Sequence, residues 1–309
     1  MLHTDGRAGI DAALVRRLIA AQFPQWADLP VTPVEVEGWD NRTYRLGDEL
    51  TVRLPTGAGY APAVEKEHRW LPVLAPALPV PIPESLAMGK PGEGYPFNWS
   101  VRRWLDGETA TPERIADLSA FAVSVAEFVL ALQRVDPTGG PVAGAHSFYR
   151  GTPPAHYDDA TRRAIDALGG RVDGRRCTEV WEAALAATWD GQPVWFHADL
   201  AHGNLLVRDG RLAAVIDFGT SAVGDPACEL VIAYTMFTGE SRAAFRDTVG
   251  HDDGAWARAR GWALWKALIV LADTTDPEVA SVNLRVIDEV LADHAAFSAR
   301  RSSGAARTG

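Results

Sequence analysis

The stretch WFHADLAHGNLLVRDGRLAAVIDFGTSAVGDPACEL, from Trp195 to Leu230, constrains the fold of this chain more than any other part. Two apolar runs, at 205–208 and 212–216, flank the turn sequence RDGR and predict a β-hairpin. Asn204 precedes the first strand and Asp217 ends the second. In a hairpin, the start of the first strand lies beside the end of the second. We therefore expect the side chains of Asn204 and Asp217 to meet.

A third oxygen-bearing side chain, Asp199, stands five residues before Asn204 in the pattern His-x-Asp-x-x-x-x-Asn. Its loop is expected beside the hairpin, so that three side chains converge. A carboxylate and an amide oxygen are ligands that Mg²⁺ takes together with phosphate and water, which assigns Asn204 and Asp217 to a metal. Asp199 would then accept a proton from, or orient, a substrate hydroxyl, as phosphoryl transfer requires. Taken singly, each residue would be read as an ordinary turn or cap residue.

The motifs HADLAHGN and IDFG resemble the catalytic loop and the metal-binding motif of the kinase-like fold, H-R-D-x-x-x-x-N followed by D-F-G. The longer segment through GDPACEL is similar to the aminoglycoside phosphotransferase family of small-molecule kinases, and the likeness runs from about Val34 to about Ala292. This resemblance implies ATP or GTP as phosphate donor, Mg²⁺, and Asp199 as general base. It also implies that His197 holds the catalytic loop.

The implied fold class is α+β: a two-lobed, protein-kinase-like fold with a small β-rich N-terminal lobe and a larger, mostly helical C-terminal lobe. The pattern agrees, because a three-strand meander over 34–54, a helix over 63–75 and a hairpin over 84–105 precede a helical remainder. We expect a nucleotide-binding lobe at 1–104, a catalytic and substrate lobe at 105–298, and a flexible tail at 299–309. The chain's helical patterns cover 10–22 in the first lobe, and 112–134, 158–168, 176–189, 227–238, 241–248, 254–272 and 278–297 in the second.

Nucleotide-binding residues follow from the same resemblance. The turn from Gly38 to Asn41 would cover the triphosphate, although it lacks a glycine-rich motif. Arg53 occupies the third strand, where the family has lysine, and would reach the phosphates. Glu67 is its expected partner, with Glu65 as the alternative. The nucleobase would bind the backbone of the segment that links the lobes, at Arg103, Trp104 and Leu105.

The acceptor is expected to be a small molecule, because only GTSAVGDPACEL follows the D-F-G motif and leaves no room for a peptide-docking segment. Asp225 before Pro226 reads as a helix N-cap. Glu229 and Trp262 are candidate substrate residues, although a stripe of tryptophans at helical spacing is more typical of a core. Other acids expected near helix starts in this lobe are Glu240, Asp252 and Asp253.

An aminoglycoside-type antibiotic, a polycation, is the acceptor that the resemblance suggests, and antibiotic resistance would follow from it. The alternatives are a peptide or macrolide antibiotic, a metabolic alcohol of the choline, homoserine or sugar-amine type, and a catalytically inactive nucleotide-binding module for which Arg53 is the only hint. A protein kinase is disfavoured by the short segment after Asp217.

Composition excludes other classes of function. The formal net charge of -10 and the absence of a Lys/Arg-rich block argue against nucleic-acid binding. No apolar run has the length of a membrane span, and the first residues lack the pattern of a signal peptide. Two cysteines, Cys177 and Cys228, do not form a disulfide framework, so a reducing cytoplasmic setting is expected.

Overall fold

The computed structural model describes residues 9–35 and 38–305. They form two compact units. Unit 1 comprises Met1–Arg114 and Gly203–Ser221, and unit 2 comprises Ile115–His202 and Ala222–Gly309.

The strands are β1 (Val31–Pro33), β2 (Asn41–Leu46), β3 (Leu50–Pro55), β4 (Ser85–Gly89), β5 (Trp99–Arg103), β6 (Glu108–Thr109), β7 (Val194–Phe196), β8 (Leu205–Arg208), β9 (Arg211–Val215) and β10 (Ala222–Gly224). The α-helices are α1 (Ala12–Gln22), α2 (Pro62–Leu74), α3 (Leu118–Gln133), α4 (Asp158–Leu168), α5 (Gly174–Ala186), α6 (Ile232–Thr235), α7 (Gly239–Val249), α8 (Asp253–Asp273) and α9 (Pro277–Ala305). None of these helices combines the length and the hydropathy that a bilayer crossing requires.

Unit 1 contains an antiparallel sheet with the strand order β1-β2-β3-β5-β4. The predicted meander and hairpin are both present, but the first strand is at Val31–Pro33, before the predicted position, and Val36 and Glu37 lie outside the described residues. Helix α1 packs on one face of the sheet, where Leu18 joins Val52 and Val101 in the hydrophobic core.

Helix α2 contacts the neighbouring strands β4 and β5. Pro72 lies inside this helix, near its end, where the helix gives way to a 3-10 turn at Ala75–Ala77. Since successive strand residues point to opposite faces, Arg102 lies on the face opposite Val101 and on the side of Glu67 in α2. The sheet therefore separates an apolar face from a charged one.

A second sheet of unit 1 has the order β6-β8-β9 and contains the predicted hairpin. Asp209 and Gly210 form its turn with positive φ angles of 53° and 75°. Such angles match the twist of a two-residue hairpin turn and favour Asp-Gly pairs. The pairing of Leu205 with Val215 then places the residue before β8 next to the residue after β9.

Unit 2 is helical apart from the antiparallel pair of β7 and β10. Its longest apolar element is α8, whose residues from Ala255 to Trp265 are all buried. The predicted helices are present with two differences. The helix predicted at 112–134 is a 3-10 turn at Pro112–Arg114 followed by α3, and the one predicted at 227–238 begins as a 3-10 helix at Pro226–Val231 and continues as α6. The short strands β6, β7 and β10 were not predicted.

The compact units divide the chain differently from the predicted lobes, because the β8–β9 hairpin pairs with β6 and belongs to unit 1. The nucleotide and substrate roles of the lobes stay predictions. Helix α9 continues to Ala305, past the predicted start of the tail at residue 299, and residues 306–309 lie outside the described residues.

Candidate functional site

The β8–β9 hairpin brings Asn204 and Asp217 to one end of the same structure. The N–H of Ile216 donates to the carbonyl oxygen of Asn204 at 2.9 Å, so the chain positions adjoining the two strands stay paired. Asp217 has a φ of 68°, a left-handed conformation that is uncommon for residues other than glycine. Strained backbone of this kind is concentrated at functional sites.

Arg53 lies against Asp217, as its position on β3 allows. Its Nη2 atom is 3.4 Å from Asp217 Oδ1, and its Nη1 atom is 3.9 Å from Glu67 Oε1. Burial opposes the charge of the guanidinium, but the carboxylates of Asp217 and Glu67 outweigh it and raise the pKa of Arg53. The arginine that replaces the expected lysine is therefore held as a cation between two acids.

Glu67 has a closer partner than Arg53, and the sequence did not indicate it. Arg102 donates to both carboxylate oxygens, Nη1 to Oε1 at 3.1 Å and Nη2 to Oε2 at 2.6 Å, and both side chains are buried. The expected pairing of Glu67 with Arg53 is thus secondary, because β5 brings Arg102 to the same face. Glu65, the alternative, is exposed and accepts from Asn98, so it is not the partner of Arg53.

A second cation that the sequence analysis missed is Lys66, beside Glu67 on α2. Its Nζ atom donates to the carbonyl oxygen of Ser221 at 3.0 Å. Burial lowers the pKa of Lys66 to about 8, although the charges of Glu67 and Asp217 act in the opposite direction. Lysine is rare in this chain, with three among thirty basic residues, and that rarity is the one signal that could have drawn attention to it.

The turn predicted to cover the triphosphate is tied to the end of β3. Thr56 donates to the carbonyl oxygen of Asp40 through its backbone N–H at 2.9 Å and through its hydroxyl at 3.0 Å. Gly38 is exposed, and Asn41 opens β2 opposite Pro55. The assignment of Gly38 and Asn41 to phosphate stays a prediction.

The predicted nucleobase-binding segment offers fewer backbone donors than expected. The N–H of Arg103 donates to Glu84 O at 3.0 Å, and the N–H of Trp104 donates to Glu49 O at 2.7 Å. Within the described residues, Leu105 is the one of the three whose N–H has no backbone acceptor. The Arg103 and Trp104 amides are therefore occupied by the protein, and a nucleobase that accepts a hydrogen bond here would use Leu105.

In unit 2, the loop that carries Asp199 is held by a buried carboxylate. Glu229 Oε2 accepts from the N–H of His197 at 2.8 Å, and its Oε1 accepts from the N–H of Ala198 at 2.6 Å. His197 is buried, and its Nδ1 accepts from the N–H of Asp199 at 3.2 Å. Ala198 has a positive φ of 73°, so these contacts fix a strained turn directly before Asp199.

Glu229 and Trp262 do not occupy the substrate-facing positions that the sequence suggested. Glu229 is buried, both of its oxygens accept from the loop that carries Asp199, and burial raises its pKa. Trp262 is 2% exposed and packs edge-on against Trp265, with ring centroids 5.5 Å apart. The first residue is part of the support of the loop, and the second is part of the core.

The other acids expected to line an acceptor pocket serve helix ends. Asp252 caps α8 by accepting from the N–H of Ala255 at 2.7 Å. Asp225 caps the 3-10 helix at Pro226–Val231, as predicted, and also forms a buried bidentate ion pair with Arg258. Glu240 and Asp253 lie in the first turns of α7 and α8, where negative charge is favoured by the helix dipole.

A cation lies beside Asp199 instead. Arg150 Nη1 is 3.6 Å from Asp199 Oδ1. Arg150 lies between the helical patterns predicted at 112–134 and 158–168, and no role was predicted for it. Its only sequence signal is the pattern SFYRG, an aromatic pair followed by arginine and glycine inside a Gly/Pro-rich loop.

Residues 31–262 match the sequence profile of the phosphotransferase enzyme family. No curated protein matches the chain. Similar solved structures include the GDP and kanamycin complex of APH(2")-IIia, at 19% identity and a TM-score of 0.70, covering 90% of this chain and 98% of that one. The streptomycin–ATP complex of APH(2")-IIa has 18% identity, a TM-score of 0.60, and coverages of 91% and 96%.

A further similar structure is the apoenzyme of the macrolide 2'-phosphotransferase MphH from Brachybacterium faecium. It has 24% identity and a TM-score of 0.56, covering 88% of this chain and 97% of that one. At these identities the likeness concerns the fold, and it confirms the predicted α+β kinase-like class.

Proposed function

Because this chain belongs to the phosphotransferase enzyme family, we propose that it transfers the γ-phosphate of ATP or GTP to a hydroxyl group of a small molecule in an Mg²⁺-dependent reaction. The observation that carries the proposal is the position of Asn204 and Asp217 at the same end of the β8–β9 hairpin, with Arg53 Nη2 3.4 Å from Asp217 Oδ1. A hard-oxygen donor pair beside a fixed cation is what a metal-bound triphosphate needs.

The donor set fits Mg²⁺ and not a soft metal. Asp217 would supply a carboxylate oxygen and Asn204 an amide oxygen, and phosphate and water would complete the coordination. Within residues 9–35 and 38–305 no group of three or more His, Cys, Asp or Glu side chains is arranged for a metal ion. The bound ion would neutralise charge on the β- and γ-phosphates.

Arg53 is the proposed phosphate-binding cation. Its 3.4 Å contact with Asp217 is longer than a strong charge-assisted hydrogen bond, so the guanidinium can exchange a carboxylate for a phosphate oxygen at small cost. Glu67 would keep it in place, and Arg102 in turn holds Glu67 through two hydrogen bonds. Arginine keeps the charge of the family's lysine and adds bidentate geometry.

Asp199 is the proposed acceptor of the substrate proton. In the transfer, the acceptor's oxygen forms a bond to the γ-phosphorus, the bond from that phosphorus to the bridging oxygen of the nucleoside diphosphate breaks, and the hydroxyl proton passes to Asp199. The role of Glu229 and His197 is positioning, because they fix the backbone on which Asp199 is carried. Asp199 is 45% exposed, so a small hydroxyl compound can reach it.

The donor and the compartment are part of the proposal. Both ATP and GTP are retained, because the solved neighbours contain GDP in one case and ATP in another. We place the reaction in the cytoplasm, where nucleoside triphosphates are abundant and where buried free thiols such as Cys177 and Cys228 stay reduced.

The acceptor has two candidate classes from the comparisons and a third from the charges. An aminoglycoside is supported by the neighbours that hold kanamycin and streptomycin, and a macrolide by the macrolide phosphotransferase. The acidic pocket that a polycation needs was expected from Glu229, Glu240, Asp252 and Asp253, which instead lie under the catalytic loop or at helix starts. Arg150, the cation beside Asp199, instead favours an acceptor that carries an anionic group.

Nucleotide turnover tests the proposal against the alternative of an inactive nucleotide-binding module. The purified chain is incubated with ATP or GTP in Mg²⁺ and in EDTA, with pooled hydroxyl compounds, and release of the nucleoside diphosphate is followed. We expect Mg²⁺-dependent release that the pools accelerate. Tight Mg²⁺–nucleotide binding with no release in any pool would identify the inactive module.

A further inference from the structure

The guanidinium of Arg150 has donors that the protein does not use. Its Nη1 atom is 3.6 Å from Asp199 Oδ1, beyond hydrogen-bond distance, and no described residue accepts a hydrogen bond from its guanidinium. Yet the side chain is only 16% exposed, while that of Asp199 is 45% exposed. A largely covered arginine with unused donors beside a proposed catalytic carboxylate is placed to bind a ligand with acceptor oxygens.

The loop that carries Arg150 is fixed in position. The buried Ser147 hydroxyl donates to the carbonyl oxygen of Arg150 at 2.9 Å, and the N–H of Asp225 donates to Gly151 O at 3.0 Å. Gly151 has a φ of 83°, and a Cβ there would lie 2.2 Å from the ring of Phe196, so no other residue fits. This rigidity pre-organises the cation before any ligand binds.

The same loop contains stored strain. Phe148 and Tyr149, the two residues before Arg150, both have left-handed backbones, with φ of 50° and 55°. The Tyr157 hydroxyl donates to the carbonyl oxygen of Phe148 at 2.9 Å, and the Tyr149 ring stacks on His156 with centroids 3.5 Å apart. Two consecutive strained residues persist only where surrounding contacts hold them in place. Such residues are concentrated at ligand-binding sites.

We propose that Arg150 binds an anionic group of the acceptor, so that the substrate is a hydroxyl compound that also carries a carboxylate or a phosphate. The inference rests on the proposed function and names the substrate class of the same site. A polycation would instead meet the like charge of Arg150 where its hydroxyl must approach Asp199. The Phe148 ring, whose centroid is 5.9 Å from the Arg150 Cζ, adds an aromatic contact to the guanidinium.

The first experiment compares acceptors of matched carbon skeleton with the wild-type chain, Mg²⁺ and ATP or GTP. One pool holds sugar acids and hydroxycarboxylates, another holds sugar phosphates, a third holds the neutral parent sugars, and a fourth holds amino sugars and aminoglycosides. Products are identified by mass spectrometry. We expect phosphorylated product from the carboxylate or the phosphate pool, at a kcat/KM about tenfold or more above that of the neutral parent. A higher kcat/KM for the amino sugars and aminoglycosides than for the anionic acceptors overturns the inference.

The second experiment uses Arg150→Gln and Arg150→Lys, with Arg163→Gln as a matched control on the exposed surface of α4. Arg150→Gln should lower kcat/KM for the anionic acceptor by about tenfold to a hundredfold, mainly through KM, and should erase the preference over the neutral parent. Arg150→Lys should retain part of the preference, and the control all of it. An equal loss of kcat for anionic and neutral acceptors would place Arg150 on the transferred phosphate and overturn the inference.

Failure of the two proposals is distinguishable. No Mg²⁺-dependent nucleotide binding or turnover in the wild-type chain contradicts the proposed function itself. Nucleotide turnover by water or by another pool, without any product from the two anionic pools, contradicts only the inference about the acceptor.

Discussion

Arg53 Nη2 lies 3.4 Å from Asp217 Oδ1, across the 164 residues that separate them in the chain. The contact joins the cation of β3 to Asp217, the second residue after β9. It means that the phosphate-binding and metal-binding residues of the proposed site are electrostatically coupled before a nucleotide arrives.

Replacing Arg53 should affect nucleotide binding first. Arg53→Ala is expected to raise the KM for ATP or GTP by about tenfold or more, because a charge-assisted contact to phosphate is lost. Arg53→Lys keeps the charge and should retain most of the activity. Steady-state kinetics with Arg211→Ala, an exposed arginine of β9, as control measure this. Ordinary nucleotide kinetics in Arg53→Ala would remove Arg53 from the site.

Replacing Asp217 should remove the dependence on the metal. Asp217→Ala eliminates the only carboxylate proposed to hold Mg²⁺, so titration calorimetry should show no gain in nucleotide affinity when Mg²⁺ is added. Asp209→Asn, in the turn of the same hairpin, serves as the matched control and should behave like the wild type. Unchanged Mg²⁺–ATP affinity in Asp217→Ala would count against the metal assignment.

The hairpin was predictable because its information is local. Two short apolar runs around an Asp-Gly turn define strand, register and ends together, so Asn204 and Asp217 were expected at the same end of the hairpin, where the Ile216 N–H donates to Asn204 O. The pairing of Glu67 with Arg102 was not predictable in the same way. It depends on β5, and not β4, lying beside β3, and on α2 covering the same face.

Arg150 escaped prediction for a different reason. It lies 49 residues before Asp199, in a loop with neither helical nor strand periodicity, and only the folded chain brings the two together. The strands β6, β7 and β10 have two or three residues each, too few for alternation to be recognised. Glu229 and Trp262 were candidates for substrate binding from their residue type and their place in the predicted substrate lobe, but both side chains are buried.

The ion pair of Glu67 and Arg102 should be sensitive to removal of one partner. Glu67→Leu leaves a buried guanidinium without its carboxylate, and a loss of about 3–5 kcal/mol in the free energy of unfolding is expected. The double variant Glu67→Leu with Arg102→Met should recover much of that loss, since both charges are gone. Urea denaturation measures all three chains. If Glu67→Leu were as stable as the wild type, the ion pair of Glu67 and Arg102 would not be buried away from water.

Lys66 should give unfolding a characteristic pH dependence. Its pKa is lowered from 10.5 to about 8, so between these values the unfolded chain holds a proton that the folded chain has released. Unfolding then takes up a proton, and the contribution of Lys66 to stability rises with pH across this window. Lys66→Met lacks this contribution.

Between pH 7.5 and pH 10, the free energy of unfolding of the wild type should therefore rise relative to that of Lys66→Met by on the order of 2 kcal/mol. Lys90→Met, at an exposed lysine, is the control and should show no such shift. A difference that stays constant over this range would mean that Lys66 titrates like a solvated lysine.

Asp199→Asn should separate chemistry from binding. The substitution preserves the size of the side chain and its place after the strained Ala198, so folding and nucleotide affinity should be nearly unchanged. Loss of the proton acceptor should lower kcat on the order of a thousandfold. Turnover near the wild-type rate would exclude Asp199 as the base.

The central claim is direct transfer of the γ-phosphate to a hydroxyl, and its most direct test is ATP or GTP whose γ-phosphate oxygens are labelled with ¹⁸O. With Mg²⁺ and the acceptor pools, we predict a phosphorylated acceptor that carries the label on its terminal phosphate oxygens and has kept its own hydroxyl oxygen as the bridge. This product should disappear with EDTA and fall in proportion to kcat in Asp199→Asn. Labelled inorganic phosphate alone, with no phosphorylated acceptor from any pool, would contradict the claim.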